Sequence, residues 1–195
     1  MRRAKVARKT KETDINLELN LDGTGIYRIS TSIPFFDHML SLMCKHALLD
    51  MKLKAKGDIE IDFHHTVEDI GIVLGTALKK ALNTMKGISR YGAATVPMDE
   101  SLASVALDIS GRPYLVYKVA FSKKSKMKVF DPDLLEDFFQ AFISHAGVTL
   151  HINVQYGRNA HHIIESVFKA FGKALQQAVT INPRIMDIPS TKGRL

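Results

Sequence analysis

His64-His65-Thr66-Val67-Glu68-Asp69 heads a long apolar-periodic run, and His161-His162-Ile163-Ile164-Glu165-Ser166 heads another 97 residues later. The runs that follow, IGIVLGTALKKAL and VFKAFGKALQQAV, space their apolar residues as one face of a helix does. On such a helix the second His of each pair lies three residues before the Glu and shares its face, while the first His is turned by one residue toward another direction. Each copy therefore offers two imidazoles and a carboxylate from one helix start, a set suited to two different metal ions. Imidazole with carboxylate favours divalent transition ions such as Mn, Fe, Co or Zn. A single His pair at a helix start is more often a polar cap than a ligand. Two copies in register within one chain point to metal.

The repeat extends outward from these motifs. Before the first motif come DINLELNL, the turn DGTG and IYRIS, which read as a hairpin over 12–32; then FFDHMLSLMCKHALLD, an amphipathic helix; then MKLKAKGDIEID, two short strands around Gly57 and Asp58. The first motif helix is expected to run to about Met85 and to close at Gly87. Before the second motif the series recurs: ESLASVALDISGRPYLVYKVAF, a hairpin; DPDLLEDFFQAFISHAG, a helix with Asp131 as N-cap and Pro132 at its first position; VTLHINVQYGRNA, a strand pair. Glu12 and Glu100 each lie eleven residues before a turn glycine, Gly23 and Gly111, and His46 and His145 fall at matching places near the ends of the first helices. Counting back eight from those histidines gives His38 and Asp137, both competent ligands. The chain thus reads as two half-repeats, 1–90 and 91–195 with the tail, forming one compact α+β domain. Each half is β-β-α-β-β-α, and the whole is pseudo-twofold, with sheets on one side and helices on the other.

The 195 residues carry a net charge of +7, 46% hydrophobic residues and a single Cys44, expected to be buried and inert. One cysteine excludes a disulfide framework and suits a reducing cytoplasm. No apolar stretch approaches the roughly 20 residues that span a bilayer, and the basic start MRRAKVARKT leads into no apolar segment, so neither a membrane anchor nor a signal peptide is expected. The densest basic cluster, 122–128, holds no aromatic to stack a base and reads as a solvated loop, which argues against a nucleic-acid partner.

The candidate ligands are His38, His64, His65 and Glu68 from the first half and Asp137, His161, His162 and Glu165 from the second. They are too many for one ion and suited to two with positions left open. Should the halves not face each other within one chain, neighbouring subunits complete the sites. Anion candidates are Arg90, Arg112, Lys169 and Ser190-Thr191-Lys192, groups that suit a phosphate monoester. Glu12 is a carboxylate able to act as acid, base or hydroxyl anchor. Residue chemistry alone reaches a metal-dependent enzyme acting on a small phosphorylated substrate.

FFDHML, DFHHTVEDIGIVLGTAL, PMDESLASVALDISGRPYL, GVTLHI, GRNAHHIIESVFKAFGKAL and PSTKG resemble imidazoleglycerol-phosphate dehydratases, from Glu12 to Gly193. The resemblance implies removal of water from imidazole glycerol phosphate to give imidazole acetol phosphate in histidine biosynthesis, with two manganese ions per active site and no organic cofactor. It also implies a duplicated fold like domain 2 of ribosomal protein S5, and trimers assembled into a 24-mer with active sites between subunits. By position His38, His64, His65, Glu68, His161, His162 and Glu165 match the family's metal ligands, Glu12 a substrate contact, and Arg90, Arg112, Lys169, Ser190 and Lys192 its phosphate set. The chain departs from the family pattern at Asp137, where plant and enterobacterial members carry His, and at Phe63, Val67 and Leu42. Two alternatives use the same residues differently: a dinuclear phosphoester hydrolase, which would release inorganic phosphate, and an RNA-binding module, whose binding would survive loss of both His pairs.

Overall fold

The computed structural model describes residues 2–122, 127 and 129–195. Its elements are β1 (Arg3–Lys9), β2 (Thr13–Asn20), β3 (Tyr27–Ser30), α1 (Pro34–Ala47), β4 (Asp50–Gly57) and α2 (His64–Leu82), followed by β5 (Tyr91–Met98), β6 (Ser101–Asp108), β7 (Tyr114–Lys118), α3 (Leu134–Ala146), β8 (Thr149–Tyr156) and α4 (Ala160–Val179). The α+β class and the duplication are those the sequence implies, with four strands and two helices in each half. The strands divide three before the first helix of a half and one after it.

Neither expected hairpin forms. The sheets are ordered β1-β2-β4-β3 and β5-β6-β8-β7, so β4 lies between β2 and β3, and β8 between β6 and β7. The reason is competition for the buried face of β2. Ile15, Leu17 and Leu19 point into the core, and β4 matches them with Met51, Leu53 and Ala55 along eight paired residues. The four-residue β3 is left on the edge, parallel to β4, with α1 as the crossover that a parallel pair requires. The other flank of β2 is taken by residues 3–9, where Ala4, Val6 and Arg8 turn inward, Arg8 to bond Asp69 of the motif helix, and the arginines and lysines hide the strand pattern.

The expected strand pairs before the motif helices are single strands. Beyond Gly57 the chain turns: the Asp58 N–H donates to the Glu12 carbonyl at 3.1 Å, and the Ile61 N–H to the Asp58 carbonyl at 2.9 Å. Gly57 is required there, since a Cβ would stand 2.0 Å from Thr66 Oγ1. Two helix ends also shift. The Leu134 and Leu135 N–H groups bond the Asp131 and Pro132 carbonyls in tight turns, so α3 begins after Asp133. At the other end of its half α2 stops at Leu82, because Asn83 and Met85 adopt positive φ of 51° and 57°.

The helices lie between the sheets, in place of the one-sided arrangement expected: α2 packs on the first sheet and on α3, α4 on the second sheet and on α1. An amphipathic helix buries one stripe on its sheet, and here glycines open a second stripe to the partner helix. A Cβ at Gly75 would stand 2.3 Å from the Phe142 carbonyl oxygen, and one at Gly172 2.8 Å from that of Met43. A single core runs through both halves around Phe36, Phe138, Phe139, Phe142, Phe168 and Phe171, each such side chain contributing about 1.5–3 kcal/mol by burial. Cys44 is buried, and burial pushes its thiol up to about 12, which makes it inert. Residues 181–187 return along the loop before β5, with an Ile88–Ile181 bridge and the Gly87 N–H bonded to the Asp187 carbonyl. Of the basic cluster at 122–128, only Ser122 and Met127 are described, so its reading as a solvated loop lies mostly outside the described residues. Among the described residues no helix is long and apolar enough to cross a membrane.

Candidate active site

The packing of α1 on α4 brings His38 to His161 and Glu165, whose ligand atoms all lie within 4.8 Å of one another. The packing of α2 on α3 makes a looser counterpart, in which His64 turns opposite ring nitrogens to its two carboxylates: His64 Nε2 stands 3.6 Å from Glu68 Oε2, and His64 Nδ1 3.3 Å from Asp137 Oδ2. Each triad thus takes a His and a Glu from one half and its third member from the other. The counted correspondence of His38 with Asp137 is realised in space.

One directional expectation is reversed. The first His of each pair meets the Glu, at i and i+4, with His161 Nε2 3.3 Å from Glu165 Oε2. Side chains four residues apart stack along a helix, whereas the second His is turned about a quarter of the way round. His65 faces Asp58, with Nδ1 3.0 Å from Oδ2, and has Glu12 4.0 Å away. His162 faces Glu100, with Nδ1 2.7 Å from Oε2. Hydrogen bonding to these carboxylates raises both imidazoles above the ordinary histidine value. Glu100 is held down to about 2 by His162 and by the Asn159 and Arg158 N–H groups. Matching side-chain turns lead into the two pairs: the N-cap Asn159 side chain accepts the His161 N–H at 2.9 Å, and Asp62, one residue before the N-cap Phe63, accepts the His64 N–H at 2.7 Å.

Lys169 Nζ lies 2.6 Å from Glu165 Oε1. Burial of Glu165 pushes its carboxyl up, but Lys169, His161 and His38 pull it further down, so it is lowered overall. Nearby His46 is lowered by burial and then by Lys173 and Lys169. An aromatic string joins the motif helices: Phe63 to Phe130 at 6.4 Å, Phe130 to Phe35 at 5.2 Å, and Phe35 edge-on to His161 at 5.3 Å. Phe63, one of the departures from the family pattern, therefore packs where a polar residue would find an aromatic neighbour.

The anion candidates divide. Arg90 donates to Asp108 from Nε at 2.7 Å and from a terminal nitrogen at 3.2 Å, and its other terminal nitrogen donates to the Pro189 carbonyl at 2.8 Å. Arg112 reaches the same carboxylate at 3.9 Å. The tail that carries Ser190, Thr191 and Lys192 follows Pro189, and Leu195 comes against Gly111. Lys169 is elsewhere, beside Glu165 and Met98. Helix α4 measures the gap: the Arg90 N–H donates to the Ala178 carbonyl, thirteen residues beyond Glu165, which is about 20 Å of helix. Strand β6 agrees, with Glu100 and His162 at its start and Asp108 at its end. The arginine cluster and the histidine clusters stand at opposite ends of one chain. Sequence reading had overlooked Asp58, Asp108 and Phe130. In the sequence Asp58 stands only between two expected short strands, and nothing in the spacing of the other two announces a partner.

A profile of the imidazoleglycerol-phosphate dehydratase family matches residues 31–175. The imidazoleglycerol-phosphate dehydratase of Geobacter metallireducens is 58% identical over 194 residues, covering 100% of this chain and 99% of that protein. That of Alkaliphilus metalliredigens is 58% identical over 188 residues, 96% of each. The crystal structure of the Staphylococcus aureus enzyme superposes with a TM-score of 0.83 at 40% identity, over 92% of this chain and 99% of that one. The Pyrococcus furiosus structure, in complex with (S)-C348, gives 0.84 at 37% identity, over 97% and 100%.

Proposed function

The chain belongs to the imidazoleglycerol-phosphate dehydratase family of hydro-lyases, and from that premise we propose that it converts imidazole glycerol phosphate to imidazole acetol phosphate and water at a two-manganese site. The observation that carries the reading is the pair of pseudo-equivalent triads, His38-His161-Glu165 and His64-Glu68-Asp137. Their donor set, imidazole and carboxylate without thiolate, fits manganese. Bound there, manganese supplies Lewis-acid polarisation of the substrate's ring and hydroxyl. The α4 triad gathers its three ligand atoms as they stand, the α2 triad once the His64 ring presents one nitrogen to both carboxylates, and each leaves positions open.

The chain's own groups do the rest. His65 and His162 turn away from the triads of their own chain and so suit the sites of a neighbouring copy. The Glu12 side chain is 54% exposed beside His65, where it can hold a hydroxyl or exchange a proton. Arg90, Arg112, Ser190, Thr191 and Lys192 form a cationic end suited to the phosphate, with Asp108 orienting both guanidiniums. The 20 Å run of α4 between that end and Glu165 far exceeds the three-carbon link between the ring and phosphate of this substrate. That separation favours a second copy supplying one of the two ends. Lys169, at the triad end, would join the other phosphate candidates only across a subunit boundary. This supports shared active sites in a homo-oligomer, trimers assembled into a 24-mer, working in the cytoplasm with the halves 1–90 and 91–195 acting as one domain.

Turnover of imidazole glycerol phosphate by manganese-loaded protein, against His64→Ala and Glu165→Ala, tests the reading. The expected result is imidazole acetol phosphate from wild type only. Release of inorganic phosphate instead would indicate the hydrolase. A species that turns over while monomeric on sizing would overturn the shared sites.

A further inference from the structure

The two halves hold their second histidines in different ways, and the difference assigns a task to Asp58. Glu12 and Glu100 occupy the same place, each immediately before its strand, β2 or β6. In the second half Glu100 bonds His162 at 2.7 Å and is itself fixed by the Arg158 and Asn159 N–H groups at 3.1 and 2.8 Å. In the first half the equivalent Glu12 stands off at 4.0 Å, and His65 is bonded at 3.0 Å by Asp58. The glycines that precede Asp58 and Arg158 identify these two residues as counterparts. Gly57 and Gly157 each face the residue just after the second His, Thr66 and Ile163, and the residue just after the glutamate, Thr13 and Ser101. So where the second half uses backbone N–H groups to pin its glutamate, the first half inserts a carboxylate that takes the histidine instead.

Asp58 is built for that task. Its side chain is 17% exposed, its N–H is tied to the Glu12 carbonyl and its carbonyl to the Ile61 N–H. Its Oδ1 is buried with no hydrogen-bond partner among the described residues, so no other donor there pulls the carboxylate off His65. A ligating histidine is oriented when its other ring nitrogen donates to a carboxylate.

We propose that Asp58 is the positioning residue of His65, holding Nδ1 so that Nε2 points outward, and that it thereby releases Glu12 for the substrate. The inference rests on the metal and substrate roles given above to His65 and Glu12. Asp58 acts only through His65 and touches no substrate.

The test compares the assembled wild type with Asp58→Asn, Glu12→Gln and the double variant, by calorimetric titration with manganese, by ring-nitrogen NMR of the metal-free histidines, and by turnover. Asp58→Asn is expected to weaken one class of manganese site by about 10- to 100-fold, the scale for losing such a partner, and to remove the Nδ1-protonated signature of His65. Glu12→Gln is expected to lower kcat with manganese affinity and the His65 signature unchanged. In the double variant affinity falls further than in Asp58→Asn, because Glu12, at 4.0 Å, is the nearest substitute partner. Asp58→Glu is expected to recover part of the affinity. Asp58→Asn binding manganese as wild type does, or Glu12→Gln weakening it as much as Asp58→Asn, would overturn the inference; the second result needs no Asp58 variant to fold. Wild type that binds no manganese would instead sink the metal reading, and this inference with it.

Discussion

Glu165 and Glu68 hold the same place in two copies of one motif, yet Glu165 is 8% exposed and bonded to Lys169, while the Glu68 side chain is 46% exposed. Ile72 stands where a counterpart of Lys169 would be, and Asp137 stands where the other triad has His38. The α4 triad therefore joins two imidazoles and one carboxylate beside an ammonium group. The α2 triad joins one imidazole and two carboxylates. The same sequence pattern has given one site whose charge is locally compensated and one that is open and more negative. Duplication supplied two copies of the candidate ligands, and their neighbours made the copies unequal.

The largest effect expected is on chemistry. Glu165→Gln should lower turnover by about a thousandfold, the scale of losing one group that stabilises developing charge, read from imidazole acetol phosphate formed. Glu68→Gln should do likewise; a Glu68→Gln enzyme with full activity would show that only the α4 triad is catalytic. Next comes metal affinity. Manganese titration should resolve two classes of site, the α2 triad the tighter because it carries the extra carboxylate, and Asp137→Asn should weaken that class about tenfold. An unchanged isotherm would break the proposed asymmetry.

Stability effects follow. Gly75→Ala drives a Cβ against the Phe142 carbonyl, and Gly172→Ala makes a looser clash with that of Met43. The first should cost about 2 kcal/mol and lower Tm by about 4–8 °C, and the second less, as thermal melts would read. Smaller still is the contrast at the C-caps of α1 and α3. Leu48 and Gly147 both adopt the left-handed conformation, with φ of 55° and 71°. Leu48→Gly should stabilise by about 1 kcal/mol and Gly147→Ala destabilise by a similar amount. A destabilised Leu48→Gly would mean that this leucine earns its strain by packing.

The smallest effect is on pH dependence, in the metal-free protein. Glu100 titrates near 2 when folded, below the ordinary 4.5, so its contribution is present above 4.5 and fades as pH falls toward 2. His162 is raised, so its contribution is full below 6.5 and fades as pH rises through its higher folded value. The Tm gap between wild type and Glu100→Gln should therefore be widest between about 4.5 and 6.5 and close on both sides. A gap independent of pH would remove the pair from the account.

Much of this molecule was legible in one dimension. The motif helices declare themselves because a helix is made of contacts three and four residues apart, so its buried face is written locally, and repetition at 97 residues exposed the duplication. The candidate ligands were legible for the same reason, as residue type is a local fact. Strand pairing was not. DINLELNL reads as a good strand wherever it pairs, and only the competition among β1, β3 and β4 for its two edges decides its neighbours. Nor could the spacing of His64, His65 and Glu68 choose which imidazole joins the carboxylate, since both offsets lie on one helix face. That choice fell to Asp137 and Asp58, brought from other elements.

The sequence by itself thus determined the duplication, the helices and the types of candidate ligand, because periodicity and side-chain chemistry are properties of short stretches. Only the tertiary structure decided which helices bring the triads together, that the arginine cluster lies a helix length away from them, and that Asp58 takes the histidine Glu12 would otherwise hold. Those outcomes depend on which buried faces match across long separations, and no stretch of chain carries that information alone.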